Sequence, residues 1–366
     1  MTAKGSDRRQ LRVGVVGVGW AGRQHIGAYA ALPGAKVVGI AGLEEDVRTE
    51  LAEEYRVEHH VPRWEDLLDM DGLDAISVAV PTFLHAPIAI AALERGMHVL
   101  CEKPMARSAD EANAMVEAAR NAERVLDIAF NHRQRGDIQK LKGVMDSGRL
   151  GQPYYAKAWW LRRSGIPTLG SWFTRADLAG GGPLVDIGVH VLDYALFLLG
   201  NPAVTAVSAS TYDLLGRSGW GSNTSSNKSG ATGSNAFDVE DLATVFMRLE
   251  GGGTLLLEAS WAAHRADGDE FGITLYGTDG GAELIVEDYA PSGSLRVFTD
   301  DDGALVEKRL RSRPGRGHKA VVEQFAEKIR SGGRGEHDGA AAAQLARVVD
   351  ACYQSAAERR EIRLSP

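Results

Sequence analysis

The sequence predicts an α/β domain built on parallel strands, followed by an α+β domain with an open, mostly antiparallel sheet. Two observations predict this. Through the first third, short apolar runs alternate with helical patterns, the mark of βαβ units. After about Asn131 the alternation stops, and strand-like runs follow one another with glycine turns between them. The predicted division is residues 1–131 and 132–366. A chain of 366 residues suits two domains at roughly 150 residues each.

The elements read in order. LRVGVVG (11–17) is a buried strand, and 21–32 is helical. AKVVGIA (35–41) is a second strand, followed by a charged helix over 44–55. DAISVAV (74–80) is a strand and 86–95 a helix. HVLCEK (98–103) is a strand. Ser108 caps a helix running to Ala122, with Glu111 at the capping-box position. VLDIAF (125–130) is the last strand of this half. The second half predicts a helix over 136–147, a long strand over 153–163 and an apolar helix over 184–199. Seven strand-like runs follow, with GGG (251–253) and TDGG (278–281) as hairpin turns. Helices over 318–330 and 339–358 close the chain. Residues 213–236, rich in Gly, Ser and Asn, predict a long loop, either a partial lid or a passive insertion.

Composition narrows the function. Hydrophobic residues make up 44% and charged residues 25%, ordinary globular values that exclude collagen, coiled coil and wholesale disorder. Lys plus Arg is 41 and Asp plus Glu is 49, a formal charge of −8. That argues against a nucleic-acid partner, which needs a basic face. Two cysteines, Cys101 and Cys352, do not make a disulfide framework. No apolar run approaches the ~20 residues of a membrane span, and the polar start lacks a signal-peptide core. The expectation is a cytoplasmic protein with no membrane partner, whose sequons at Asn223 and Asn227 stay unmodified. Glycine is abundant at 43 residues. So many glycines demand tight turns or close backbone approach.

Residues 17–22 read Gly-Val-Gly-Trp-Ala-Gly, a G-x-G-x-x-G between a strand and a helix. Gly17 permits the turn, Gly19 lets a pyrophosphate approach, and Gly22 lets helix and strand pack closely. With Val18, Trp20 and Ala21 they form a helix start that offers free N–H groups to phosphate. In this context the pattern is the fingerprint of a dinucleotide-binding Rossmann domain. The second strand should end at the residue that reads the adenosine ribose. That place holds Gly42 and then Leu43, without the usual carboxylate. Glu44, Glu45 and Asp46 follow, and Arg48 is the nearest cation. A 2′-phosphate would meet a negative cluster, so of NAD and NADP the reading leans to NAD.

Two more segments carry chemistry. Cys101-Glu102-Lys103-Pro104 ends a predicted strand. Ligands of open parallel sheets lie outside the carboxyl ends of the strands, which puts Lys103 near the nicotinamide end of a dinucleotide. In GGGPLVDIGVH (180–190), Asp186 and His190 are four apart on a predicted helix and share a face. The pair is either structural or functional. A metal site would lack a third ligand, so no metal is expected.

These segments together resemble the Gfo/Idh/MocA oxidoreductases. The resemblance rests on GVVGVGWAG (14–22), VPTFLH (80–85), HVLCEKPMA (98–106), the Asn131 segment and GGGPLVDIGVHVLD (180–193). FDVEDLATVFMRLEGGGTLLLEASWA (237–262) and the tail ACYQSAAERREIRL extend it over essentially the whole chain. It implies the two-domain fold predicted above, and a homodimer or homotetramer packed through the open sheet face. It implies Lys103, Asp186 and His190 as reacting residues. Val80, Pro81, Thr82, His85, Glu102, Lys103 and Asn131 join the glycine turn, Gly42 and Leu43 as expected cofactor contacts.

The implied reaction moves a hydride between nicotinamide and a ring secondary alcohol or ketone of a sugar, sugar derivative or cyclitol. His190 is the expected general base, because imidazole ordinarily titrates near ~6.5. Lys103 should stabilise charge developing on the reacting oxygen, and Asp186 should orient the substrate hydroxyl. Arg162, Arg163 and Trp172 are expected to contact substrate, together with Lys103, Asp186 and His190. Trp159 and Trp160 are expected in core or interface, His59 and His60 on a surface strand, and Cys101 as an inert thiol. Two other functions fit the resemblance. One is an aldose–aldose transhydrogenating oxidoreductase with tightly bound NADP. The other is a non-catalytic dinucleotide- or sugar-sensing regulator, which retention of Lys103 and His190 disfavours.

Overall fold

The computed structural model describes residues 10–220, 237–332 and 337–364. Asn223, Asn227 and most of the 213–236 loop lie outside the described residues. The chain forms two compact units. The first holds the described residues through Met105, then Asp110–Ala129 and His318–Ala343. The second holds Ala106–Ala109, Phe130–Gly317 and the chain from Gln344 onward.

The first unit is built on six strands: β1 (Leu11–Val16), β2 (Ala35–Ala41), β3 (His59–Val61), β4 (Ala75–Val78), β5 (His98–Cys101) and β6 (Leu126–Ile128). Their order is β3-β2-β1-β4-β5-β6, and every pair is parallel. The helices between them are α1 (Trp20–Ala30), α2 (Glu45–Tyr55), α3 (Trp64–Leu68), α4 (His85–Glu94) and α5 (Ala109–Ala122). Central strands covered on both faces need continuous apolar runs. Val13, Val15, Ile76, Val78, Val99 and Leu100 are fully buried. The edge strand β3 is different: His59 and His60 are exposed on it. The strand order reverses between β1 and β4, and such a switch point opens a crevice at the carboxyl ends.

The second unit carries a nine-stranded sheet. Its strands are β7 (Pro153–Arg162), β8 (Val204–Tyr212), β9 (Leu242–Leu249), β10 (Thr254–Ser260), β11 (Asp269–Gly277), β12 (Gly280–Glu287), β13 (Ser294–Asp301), β14 (Ala304–Leu310) and β15 (Ile362–Arg363). The order is β14-β13-β12-β11-β7-β10-β9-β8-β15. The β7–β10 pair is parallel and the others are antiparallel. Ala156, Ala158 and Trp160 of β7 are buried, while Tyr155, Lys157 and Trp159 between them are half-exposed. One face of the sheet is thus covered and the other open, as the period of two requires. Both predicted glycine turns join adjacent strands: 251–253 links β9 to β10 and 278–281 links β11 to β12.

The second unit also holds α6 (Gly136–Asp146), α7 (Ala176–Ala179), α8 (Val189–Leu198) and α9 (Leu214–Arg217). The helix expected over 184–199 opens instead as a π-helical turn, Leu184–Gly188, and only then becomes α8. By length and composition the stretch Ala176–Leu198 could cross a membrane, which the sequence reading did not notice. Here it is mostly buried within the protein's own fold.

The chain closes with α10 (Gly317–Arg330) and α11 (Ala340–Glu358). A single cut at Asn131 does not describe the two units, because α10 from His318 packs in the first. Its Val321, Val322, Phe325 and Ala326 share a core with Val13, Val15, Ile26 and Ile40. The sequence shows that α10 has an apolar stripe, but not which sheet the stripe will cover. Phe325→Ala should therefore destabilise the first unit by about 3–5 kcal/mol, read as a fall in denaturation midpoint. Truncation of Leu305, which is 74% exposed, should cost far less.

Candidate active site

The glycine turn has the geometry its spacing predicts. Gly17 has φ +106°, and a Cβ there would lie 2.0 Å from the Ala79 carbonyl oxygen at the end of β4. A Cβ on Gly22 would lie 1.9 Å from the Gly17 carbonyl oxygen. Both glycines are demanded by backbone contact. Gly19 differs: a Cβ there meets nothing within 4 Å, and it caps α1 without a side-chain bond. Open space beside uncapped helix amides suits a phosphate. Val18 is buried and Trp20 is 69% exposed.

At the end of β2, Gly42 fills no special turn. A Cβ there would strike Val18 at 2.6 Å, so the close approach explains the missing carboxylate. Leu43 and the acidic residues 44–46 are exposed. Arg48 is buried, and its Nη1 donates to the Gly42 carbonyl at 2.5 Å. The nearest cation is therefore committed to the backbone.

The Lys103 turn is held at successive residues. The Glu102 N–H donates to the Val78 carbonyl at 2.8 Å. The Lys103 N–H donates to Glu102 Oε2 at 3.2 Å. The Pro104 carbonyl lies 2.8 Å from His85 Nδ1, and the Val80 carbonyl 2.8 Å from His85 Nε2. His85 is buried and so bridges the Val80-Pro81-Thr82 segment to the Lys103 turn. Burial pushes the His85 pKa down against the pull of the two carbonyls and Glu102.

Glu102 itself is nearly buried. Its Oε1 accepts the Nε2–H groups of His25 and His318, each at 3.0 Å. Burial alone would raise its pKa, but the two histidine bonds win and hold it well below the usual carboxylate range. Cys101 beside it is a buried thiol pushed far up by the same burial. Among the described residues, His25, Glu102 and His318 are the one group of three whose donor atoms converge closely enough for a metal, within 4.8 Å. Sequence reasoning missed this group, since its members lie far apart in the chain.

In the second unit, Asp186 sits in the π-helical turn and His190 in the first turn of α8. Such turns recur at functional sites. Asp186 is the half-exposed residue in a buried run, and His190 is 6% exposed. Trp261, fully buried, donates its Nε1–H to Asp186 Oδ2 at 3.0 Å. The His132 ring lies 4.4 Å from that of His190. The preceding glycines are pinned by backbone conformation and close contacts. Gly180 has φ +87°. A Cβ on Gly181 would meet the Tyr353 hydroxyl at 2.0 Å, and one on Gly182 the Glu240 carbonyl at 2.1 Å. The buried Glu240 carboxylate accepts the Gly182 N–H at 2.8 Å, the Leu184 N–H at 3.0 Å and the Tyr353 hydroxyl at 2.9 Å.

Of the expected substrate contacts, the structure groups Arg162 with Asp186. Each interacts electrostatically with the other and with Tyr289. Arg162 Nε donates to Asp269 Oδ2 at 2.7 Å, and its Nη2 donates to the Tyr289 hydroxyl. Tyr289 is 55% exposed and, like Asp288, has a left-handed φ. The sequence reading missed both Tyr289, which belongs to no motif, and His132, which follows Asn131 in the same short turn. Arg163 is exposed and donates to the Arg265 carbonyl. Trp172 stacks on Phe173 at 3.7 Å. Asn131 opens a short 3₁₀ turn of the second unit.

Because the folded state lowers the Glu102 pKa, its ionisation stabilises the fold above the unfolded value of about 4.3. That contribution drains away as pH falls below it. The gap in unfolding free energy between wild type and Glu102→Gln should narrow progressively with acidification, measured by denaturant titration. A gap independent of pH would show that the histidines do not hold the carboxylate ionised.

A family model described as "Oxidoreductase family, NAD-binding Rossmann fold" matches residues 11–130. A second, "GFO/IDH/MocA C-terminal domain", matches residues 138–283. D-glucoside 3-dehydrogenase of Escherichia coli (strain K12) is 33% identical over 300 residues, 81% of each chain. Levoglucosan dehydrogenase of Pseudarthrobacter phenanthrenivorans is 31% identical over 310 residues, 81% of this chain and 78% of that one. A solved levoglucosan dehydrogenase in complex with NADH and L-sorbose superposes with a TM-score of 0.82 at 26% identity, over 98% of this chain and 99% of the other. The chain belongs to the Gfo/Idh/MocA oxidoreductases, and its first unit carries that family's NAD-binding Rossmann fold.

Proposed function

We propose that this protein is an NAD-dependent dehydrogenase that oxidises a ring secondary alcohol of a pyranoside. One observation carries the reading. Two relatives named for a D-glucoside and for levoglucosan align over about four-fifths of the chain. Both names denote a glucose ring whose anomeric carbon is locked in an acetal. Free aldoses, which open, fit this pattern less well.

Bound NAD supplies the hydride acceptor. The open space at Gly19 and the uncapped start of α1 support its pyrophosphate. The exposed acidic cluster at 44–46 and the committed Arg48 disfavour a 2′-phosphate. His190 takes the hydroxyl proton as general base. The Lys103 ammonium donates a hydrogen bond to the reacting oxygen and stabilises its developing charge. Asp186, oriented by Trp261, accepts from a substrate hydroxyl. Tyr289 offers a partly exposed ring face, held by Arg162, on which a sugar can rest. The fold works as a homo-oligomer through the open face of the nine-stranded sheet.

Methyl glucosides and levoglucosan should reduce NAD faster than NADP, and faster than myo-inositol does. Preference for a free aldose with no net NADH release would mark a transhydrogenase instead. Lys103→Ala and His190→Ala should each lower kcat by a factor of about 10² or more while NADH still binds. Near-normal rates in both would sink the assignment. Tyr289→Ala should raise KM for the glycoside more than it lowers kcat, in steady-state assays.

A further inference from the structure

His25 and His318 have no role above, and Glu102, expected to contact the cofactor, instead spends both carboxylate oxygens on bonds within the protein. Together the three draw on α1, the end of β5 and the start of α10. All three side chains are within 10% of full burial. An ionised carboxylate kept from water is costly, and apolar side chains would fill the space at lower cost. A charge placed there at such cost calls for a positional purpose.

The geometry points to a positioning triad: His25 and His318 hold the Glu102 carboxylate, and that carboxylate fixes the backbone from which Lys103 projects. This rests on the reading of Lys103 as a reacting residue. Glu102 Oε1 accepts both imidazole N–H groups at 3.0 Å, and Oε2 accepts the Lys103 N–H at 3.2 Å. Both oxygens are therefore used within the protein. The far nitrogen of His25 lies 2.8 Å from Ser77 Oγ, which fixes that ring. His318 packs edge-on against Trp20 of the glycine turn at 5.2 Å. The N–H of Glu102 and the carbonyl of Pro104 are tied as well.

The physical need is plain. A lysine side chain is long and flexible, so its ammonium is placed only as well as its Cα. Misplacement of a reacting group by an ångström costs rate far more than binding. Across 216 residues of sequence, α10 returns to supply one of the two imidazoles. Helix α10 thus completes the lysine's setting in the first unit.

The test compares His318→Leu, which removes the donor, with His318→Gln, which keeps one. Full-length variants are assayed with NAD and levoglucosan or methyl β-D-glucoside, with NADH binding followed by fluorescence. His318→Leu should lower kcat at least about tenfold with KM for NAD moved less than about threefold, and His318→Gln should recover most of the rate. Independently of turnover, amide exchange of the peptide holding residues 102–105 should quicken in His318→Leu alone, with β1 unchanged. An unchanged kcat and exchange rate in His318→Leu, beside an inactive Lys103→Ala, would overturn the triad and leave the lysine's role intact. A fully active Lys103→Ala would remove the role itself. Loss of activity on chelation, restored by zinc, would overturn the triad in favour of a metal at the same three side chains.

Discussion

The first unit depends on backbone meeting backbone at the switch point of its parallel sheet. Gly17 lies against the Ala79 carbonyl, and Gly22 against Gly17 itself. No side chain fits at either place. This contact sets how deeply α1 starts above β1, and so where its free amides lie. It also joins the ends of β1 and β4. The Val78 carbonyl of β4 then receives the Glu102 N–H, which carries the constraint to β5 and the Lys103 turn.

Two buried glutamates do related work in the two units. Glu102 braces the Lys103 turn and Glu240 braces the turn that leads to Asp186. Their pKa values shift in opposite directions for a physical reason. Burial disfavours the charge at both. Two imidazoles overcome it at Glu102, whereas backbone N–H groups and a tyrosine hydroxyl do not at Glu240, whose pKa stays raised. Each carboxylate gathers several donors that would otherwise be unpaired in the interior. Residues proposed to react are thus set on turns whose backbone is bonded at several atoms. That is how a fold holds a reacting group more precisely than the side chain alone could.

Much of this was legible in the chain. The alternation of apolar runs with helical patterns predicted a parallel sheet, and the successive strand-like runs with glycine turns after Asn131 predicted an open, mostly antiparallel one. Both patterns are local consequences of burial on two faces or on one. Gly17, Gly19 and Gly22 were readable because strand and helix flank them. The glycines at 180–182 show in the sequence only as part of a motif, without their physical reason. Their reason, Tyr353 and the Glu240 backbone, lies in distant parts of the sequence. The π-helical turn under Asp186 was likewise invisible, since it adds no residue type that an α-helix would refuse.

By itself, the sequence determined the strand and helix periods, the dinucleotide turn and the candidate reacting residues, because each depends on neighbours a few positions away. Tertiary structure alone decided which sheet α10 covers, why Gly42 stands where a carboxylate is usual, and how His25, Glu102 and His318 meet. Those outcomes depend on close packing between segments far apart in the chain. No local pattern records which apolar stripe or buried donor will find which partner.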